Sequence, residues 1–169
     1  FINNLSLNMK SAFFLNTYGS LYSIDIETMR LNWFLNLNKS FDLNSNQLFM
    51  SKQVINNNDK IVISSSFFTY IINSNNGSIV YKFNYNSTVK PLMVNNFLFS
   101  LTKDGLLISM NLDNGKIIYS YDINQKIAEF LNVKKKQITA KDIYIADDKL
   151  LIFLNNSYLL KLDIYGNLE

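Results

Sequence analysis

Hydrophobic and polar residues alternate along the chain in short stretches, and clusters of Asn, Asp, Ser and Gly separate one stretch from the next. Over residues 20–26, Leu21, Ser23 and Asp25 alternate with Tyr22, Ile24 and Ile26. A period of two is typical of a β-strand with one buried face. The intervening Asn and Gly residues favour tight turns, because both tolerate positive φ. The pattern therefore predicts a succession of short antiparallel strands.

Residues 106–122 show the pattern most clearly, as strand, turn and strand. The first arm is apolar, Asp113-Asn114-Gly115 forms the turn, and the second arm is β-branched and aromatic. Strands are predicted over 1–7, 11–17, 20–26, 31–37, 47–55, 60–65, 67–73, 78–85, 91–94, 97–102, 106–112, 117–122, 141–146, 150–154 and 158–163. Residues 40–46 are predicted as loop, and residues 125–132 as one or two helical turns.

A repeat becomes visible when the third strand of each group is aligned on its last polar residue. Asp25, Asn73, Asn111 and Asp163 then coincide, at intervals of 48, 38 and 52 residues. Eight residues after the first three lie Trp33, Tyr81 and Tyr119, and four residues after them lie Met29, Gly77 and Gly115. These intervals are near the roughly 40–50 residues of a four-stranded propeller blade.

The repeat predicts an all-β fold, a partial β-propeller ring of about four blades, each a four-stranded antiparallel sheet. One such sheet cannot bury both of its faces alone, whereas blades stacked around an axis can. The predicted blades are 1–39, 47–86, 91–123 and 138–169, the last incomplete. We expect a strand from elsewhere in a longer chain to complete it, which would place Glu169 near the natural C-terminus.

The repeated residues are interpreted as structural. An aromatic side chain at a fixed repeat position is expected to pack between blades, and a glycine at a fixed position to serve a turn. The structural positions are Asp25, Trp33, Asn73, Gly77, Tyr81, Asn111, Gly115, Tyr119 and Asp163. No residue is assigned to catalysis, to a cofactor or to a metal.

Composition narrows the function. The 169 residues carry a net charge of +3, too mild to indicate nucleic-acid binding, and include neither Cys nor His. A nucleophilic Ser therefore has no His partner, and the adjacent Asp147 and Asp148 suit a solvated turn better than a catalytic pair. The basic run Lys134-Lys135-Lys136 favours a solvated loop, with an anionic lipid or an acidic partner as the alternative.

The segments SLYSIDIETMRLNW, FTYIINSNNGSIVY and LLISMNLDNGKIIY resemble the PQQ-like, or quinoprotein-like, propeller repeat, and YLLKLD resembles part of a fourth copy. The chain departs from the pattern at the glycine-free turn of the first repeat and at Tyr81 and Tyr119, where Trp is usual. Within that class the chain resembles the BamB family, the non-enzymatic lipoprotein propellers of the outer-membrane β-barrel assembly machinery in Gram-negative bacteria.

This resemblance implies an eight-bladed ring of which the chain would be the C-terminal half. It implies a protein–protein scaffold without cofactor at the periplasmic face of the outer membrane, with a barrel assembly subunit as partner. It implies membrane association only through a lipid anchor outside this fragment. The alternatives are a fragment of a PQQ-dependent quinoprotein dehydrogenase, or a generic propeller module for ligand binding or sensing.

Overall fold

The protein forms four antiparallel β-sheets and one α-helix in a computed structural model that describes residues 4–38, 48–57 and 59–167. The predicted loop at 40–46, the first three residues of strand 1–7 and residue Glu169 lie outside these ranges. The sheets fall into two compact units, Phe1–Tyr85 and Asn86–Glu169, with two sheets in each. The all-β prediction is confirmed.

Unit 1 contains two four-stranded sheets, each built from four consecutive strands in chain order. The first consists of β1 (Leu5–Leu7), β2 (Ser11–Leu15), β3 (Ser20–Asp25) and β4 (Leu31–Asn36). The second consists of β5 (Ile55–Asn56), β6 (Lys60–Ser64), β7 (Thr69–Asn73) and β8 (Ile79–Phe83). All neighbouring strands are antiparallel, as short turns between consecutive strands require.

The core of unit 1 lies mainly on the two middle strands of each sheet, with Leu37 and Val54 added from the segments beside β4 and β5. Its buried members are Phe13, Leu15, Leu21, Leu37, Val54, Ile61, Ile63, Tyr70 and Ile72. The short first strands lie beside each other, because the Asn56 amide donates to the Leu7 carbonyl at 3.3 Å and the Ser6 hydroxyl bonds to the Asn56 side chain. The fourth strands β4 and β8 carry the more exposed side chains. The sheets thus meet at their first strands, while their fourth strands are more exposed than the middle ones.

Unit 2 repeats the arrangement with one complete sheet and one of three strands. The first sheet consists of β9 (Leu92–Val94), β10 (Phe97–Leu101), β11 (Leu106–Asn111) and β12 (Ile117–Asp122), and the second of β13 (Ala140–Ala146), β14 (Lys149–Leu154) and β15 (Leu159–Asp163). Its buried core residues are Val89, Phe99, Leu101, Leu107, Ile123, Ile143, Leu150, Ile152, Leu154 and Leu162. Pro91 directly precedes β9, so its missing N–H costs the sheet no hydrogen bond.

Helix α1 (Ile123–Leu131) links the two sheets of unit 2. Its N-cap is Asp122, whose carboxylate accepts the Asn124 and Gln125 N–H groups at 3.0 Å each. Asn132 ends it in the left-handed conformation, with φ of 51°. The helix begins two residues before the predicted helical turns, because the cap acts at residue 122.

A β-bulge recurs at one position in the three complete repeats. The register between third and fourth strands shifts after the pairs Ser23–Trp33, Ile71–Tyr81 and Ser109–Tyr119. One extra residue on the fourth strand therefore lies directly before each repeat aromatic. A bulge bends its strand and re-aims the neighbouring side chains, so it helps to direct these aromatics.

The predicted strand over residues 47–55 is wrong across most of its described part. Only Ile55 belongs to a strand, β5, and Ser51 makes a single isolated bridge to Ser65. The alternation fails at Leu48-Phe49-Met50, where three apolar residues follow one another. This segment crosses from one sheet to the next and cannot place all three side chains on one buried face.

The strand predicted over residues 67–73 begins two residues later than expected. Ser65 and Phe68 close a tight turn in which the Ser65 N–H donates to the Phe68 carbonyl at 2.8 Å. The Ser65 hydroxyl also accepts the Phe68 N–H at 3.1 Å. Phe67 therefore stands at the tip of a turn, and β7 starts at Thr69.

Candidate functional site

The repeat's polar residue closes the turn that follows it in all four copies. The Asn73 side chain accepts the Asn75 N–H at 2.9 Å, and Asn111 accepts the Asp113 N–H at 2.8 Å. Asp25 and Asp163 do the same for Thr28, at 2.7 Å, and for Tyr165, at 2.9 Å. Side chains of Asn and Asp form such turns because their oxygens reach backbone N–H groups two or three residues ahead. These four residues therefore act on backbone geometry.

The same hydrogen bonds stabilise the charged form of the two Asp side chains. The Thr28 backbone N–H and hydroxyl hold the pKa of Asp25 below its ordinary value. The Asn167 side-chain amide and backbone N–H lower the pKa of Asp163 in the same way. Both carboxylates stay ionised as turn acceptors.

Trp33 joins the two sheets of unit 1. Its indole Nε1 donates to the Ser74 carbonyl at 3.0 Å, and a Cβ placed on Gly77 would lie 2.5 Å from its Cε3. Gly77 has a φ of +72°, so glycine serves both the turn and the close approach of the ring. The Phe13 ring lies 6.0 Å from the Trp33 ring on the other side. The first repeat's aromatic thus packs on the second repeat's turn.

Tyr119 makes the corresponding contact in unit 2. Its hydroxyl donates to the Ile164 carbonyl at 3.0 Å, and Ile164 follows Asp163 as Ser74 follows Asn73. A Cβ on Gly166 would lie 2.2 Å from the Tyr121 ring and 3.0 Å from that of Tyr119. Burial raises the pKa of Tyr119 to about 12.

Gly115 and Tyr81 are described by contacts within their own sheets. Gly115 has a φ of 68° and donates its N–H to the Asn111 carbonyl at 2.9 Å. Tyr81 is half-buried on β8, with its ring 6.1 Å from that of Phe83. That all nine residues serve structure rather than a ligand stays a prediction.

An exposed apolar cleft lies at one end of unit 1, between the residues that follow β4, the β6–β7 turn and the crossover before β5. Its volume is about 380 Å³. We call it the aromatic cleft, and its principal lining residues are Leu48, Phe49, Met50, Phe67, Phe68, Tyr70 and Lys82. Phe67 and Met50 are 76% and 72% exposed, so large apolar side chains stand in water there.

Lys82 supplies the charge of the aromatic cleft. Its ammonium lies 3.8 Å from the centre of the Phe68 ring and 5.5 Å from that of Tyr70, within cation–π range. Burial raises the pKa of Tyr70. The other charged residue of unit 1 described at this end is Lys52, whose N–H bonds to Ser64. The described charge around the cleft is therefore positive.

A polar cavity of about 360 Å³ opens at the opposite end of unit 1. It is lined by Asn8, Met9, Lys10, Ser11, Asp25, Asn32, Ser74 and Asn75. Asn8 accepts the Lys10 and Ser11 N–H groups, at 2.9 and 2.7 Å, and the Asp25 carboxylate binds Thr28. These oxygens serve turns, which makes the aromatic cleft the stronger candidate.

Sequence reasoning missed the aromatic cleft because it assigned Leu48-Phe49-Met50 and Phe67-Phe68 to strands. The available signal was the failure of alternation, since consecutive apolar residues beside a turn cannot all be buried. Within the described residues, no three Asp, Glu, His or Cys side chains lie together as metal ligands would. In the same part of the chain no helix is long and apolar enough to cross a bilayer.

Antiparallel sheets of four or three strands in chain order define the blades of a β-propeller, and Trp33 and Tyr119 each pack on the turn of the next sheet. The predicted fold class is confirmed. Among solved structures, the chain is similar to BamB from Moraxella catarrhalis, with a TM-score of 0.64, 10% sequence identity and 97% of this chain covered. The match covers 49% of that BamB chain, so this chain spans about half its length.

Other propellers match equally well. The computationally designed Ika4 protein gives a TM-score of 0.68 at 12% identity, covering 95% of this chain and 89% of its own. The WD40 domain of Pan2 from Neurospora crassa gives 0.63 at 7% identity, covering 98% and 48%. No family model and no curated protein sequence matches this chain. At these identities the likeness shows the fold.

Proposed function

We propose that this chain is part of a non-enzymatic propeller scaffold that binds protein partners, with blades at 1–39, 47–86, 91–123 and 138–169. The aromatic cleft is the observation that carries the proposal. It presents large apolar side chains on loops held by a rigid sheet unit, and protein interfaces concentrate their binding energy in such aromatic anchors. The matched propellers support the scaffold role at the level of fold.

The occupant that fits the aromatic cleft is an apolar segment of a protein with an acidic residue beside it. The apolar side chains would cover Phe67 and Met50, and the carboxylate would face Lys82. An ammonium held over aromatic rings keeps its charge available to such a partner.

For the partner itself we propose a subunit of the outer-membrane barrel assembly machinery, with the chain at the periplasmic face of that membrane. The likeness to BamB and the repeat resemblance support this assignment. The purified periplasmic region of the barrel-insertion subunit is the direct probe.

Phe67→Ser tests the cleft. We expect it to weaken binding of that subunit roughly tenfold by calorimetry, because the removed ring is a large share of the apolar anchor. Lys82→Gln should weaken binding about fivefold and reduce its salt dependence. Tyr158→Ser, which removes an equally exposed aromatic in unit 2, is the matched control and should leave binding unchanged.

If the subunit does not bind the unaltered chain, the barrel-assembly assignment is contradicted. Equal binding by Phe67→Ser and the unaltered chain would contradict the cleft as the docking site. Binding of pyrroloquinoline quinone with Ca²⁺ would instead support the quinoprotein alternative.

A further inference from the structure

Helix α1 is fixed at its base and along one side. Ile123, Asn124 and Ala128 are buried, and the Asn124 side chain accepts the Ile138 N–H at 3.0 Å. The Asp122 carboxylate caps the first turn. The helix and the segment that returns to β13 are therefore held in a defined place on unit 2.

The far end of the helix carries apolar side chains into water. Phe130 is 71% exposed, and Leu131 and Val133 are more than half exposed. We call these three residues the apolar tip. Asn132 in its left-handed conformation turns the chain there, and the Val133 N–H returns to the Ala128 carbonyl at 2.9 Å. The apolar tip thus belongs to an ordered helix end. An exposed apolar patch at such a place is typical of an interaction site.

Three lysines follow the apolar tip directly. Lys135 pairs with Asp122 at 2.5 Å, while Lys134 and Lys136 are exposed and make no ion pair within the residues described. Across residues 122–136 four lysines face two carboxylates. The surface around the apolar tip is therefore positive.

We propose that the apolar tip and its lysines bind the surface of an anionic lipid bilayer. Phe130, Leu131 and Val133 would enter the boundary between headgroups and acyl chains, and Lys134 and Lys136 would meet lipid phosphates. Apolar side chains beside lysines are the combination that interfacial membrane binding uses. This site is independent of the aromatic cleft, and it develops the anionic-lipid alternative that the sequence offered for Lys134-Lys135-Lys136.

Shape favours a bilayer over a folded protein as the occupant. None of the three tip residues lines either cavity described above. An exposed apolar side chain needs a matching pocket on a rigid protein partner, whereas the lipids of a bilayer interface can rearrange around it. The short helix cannot cross the membrane, so the binding is interfacial.

Flotation with vesicles tests the proposal. The full chain should float with vesicles of phosphatidylglycerol and phosphatidylcholine, and much less with phosphatidylcholine alone. Lys134→Gln/Lys136→Gln should weaken binding about 25-fold, at about fivefold for each lysine. Phe130→Ser should weaken it roughly tenfold.

Matched controls separate the site from bulk charge. Lys90→Gln/Lys116→Gln removes two exposed lysines from other loops of unit 2, and Tyr158→Ser removes an exposed aromatic there. Both should bind vesicles as the unaltered chain does. An equal loss in the control pair, or full binding by Phe130→Ser, would overturn the proposal. Absence of flotation would also overturn the proposal, and it would favour an acidic protein partner as the ligand of this site.

A dye gives a second readout. Because the chain has no cysteine, Phe130→Cys can be labelled uniquely with an environment-sensitive fluorophore. Anionic vesicles should shift its emission to the blue, and the same dye on Tyr158→Cys should not shift. If the labelled Phe130→Cys variant binds vesicles but the emission of its dye does not shift, insertion of the apolar tip is overturned.

Discussion

At the residue scale, the position four residues after the repeat's Asn or Asp has the most demanding backbone. It has positive φ in three turns, 56° at Met29, 72° at Gly77 and 68° at Gly115. Glycine adopts this conformation freely, whereas other residues are strained in it. At Gly77 the Trp33 ring also occupies the space that a Cβ would take.

Gly77→Ala should therefore destabilise the protein. The methyl group would meet the Trp33 ring at 2.5 Å and the backbone would be strained. We expect a loss of about 2–3 kcal/mol in the free energy of unfolding, measured by urea denaturation.

Met29→Gly is the matched reverse change. It relieves the same backbone strain, and little packing is lost because Met29 is exposed. The free energy of unfolding should rise by up to about 1 kcal/mol. A neutral Gly77→Ala together with a destabilised Met29→Gly would refute this account of the turn.

Tyr119 links stability to alkaline pH. Its pKa is about 12 in the folded protein because burial disfavours the phenolate, against an ordinary value of 10.0. The unfolded chain therefore releases this proton first as pH rises. The stabilising contribution is complete below about pH 10 and is lost as the pH rises toward 12.

Tyr119→Phe tests this linkage. The variant should lose about 1 kcal/mol at neutral pH with the Ile164 hydrogen bond, and its stability should fall less steeply at alkaline pH. Thermal unfolding across the alkaline range measures both effects. Tyr158→Phe, in an exposed turn, should follow the unaltered protein, and an unchanged alkaline slope in Tyr119→Phe would count against the assignment.

At the scale of elements, α1 depends on one cap. Asp122→Ala removes the acceptor for two N–H groups and the partner of Lys135. Protein stability should fall by about 1 kcal/mol, and the amides of Asn124 and Gln125 should exchange hydrogen faster. Mass spectrometry of exchanged peptides reports the second effect.

Two further variants locate the cause. Asp122→Asn keeps an oxygen for the cap but loses the charge, so it should retain most of the helix protection. Asp104→Ala removes an exposed carboxylate from the turn before β11 and should change nothing. Equal loss in Asp104→Ala would show a general charge effect instead of a cap.

Strand β3 was predictable because one buried face forced alternation, and β11 was predictable as a short apolar run bounded by turns. The turns were predictable from Asn, Asp and Gly chemistry. The crossover at residues 48–54 was mispredicted because Leu48 and Met50 are exposed at the surface while Val54 is buried in the core, an arrangement that no single strand face produces. The recurring bulge could not be predicted from the sequence, because it depends on how the fourth strand pairs with the third strand.

At the scale of the whole molecule, the repeat predicted the architecture while the surfaces depended on tertiary structure. Residues that recur periodically indicate the shared framework, because every copy of the repeat packs against its neighbour in the same way. Phe67 and Phe130 occupy non-equivalent places in the repeat, so periodicity carries no information about them. Their exposure follows from local turn and helix geometry, which only the folded chain provides.

The contacts of Trp33 and Tyr119 with the next turn have a direction. Trp33 reaches forward to Ser74, and Tyr119 reaches forward to Ile164, so one face of a repeat presents the ring and the other presents the receiving turn. Such a head-to-tail joint is heterologous, and its two halves are never identical. A duplicated whole repeat would bring both halves and extend the array. A partial repeat, such as the three-stranded sheet β13–β15, brings a receiving turn without a ring of its own, so only complete repeats keep every ring matched to a turn.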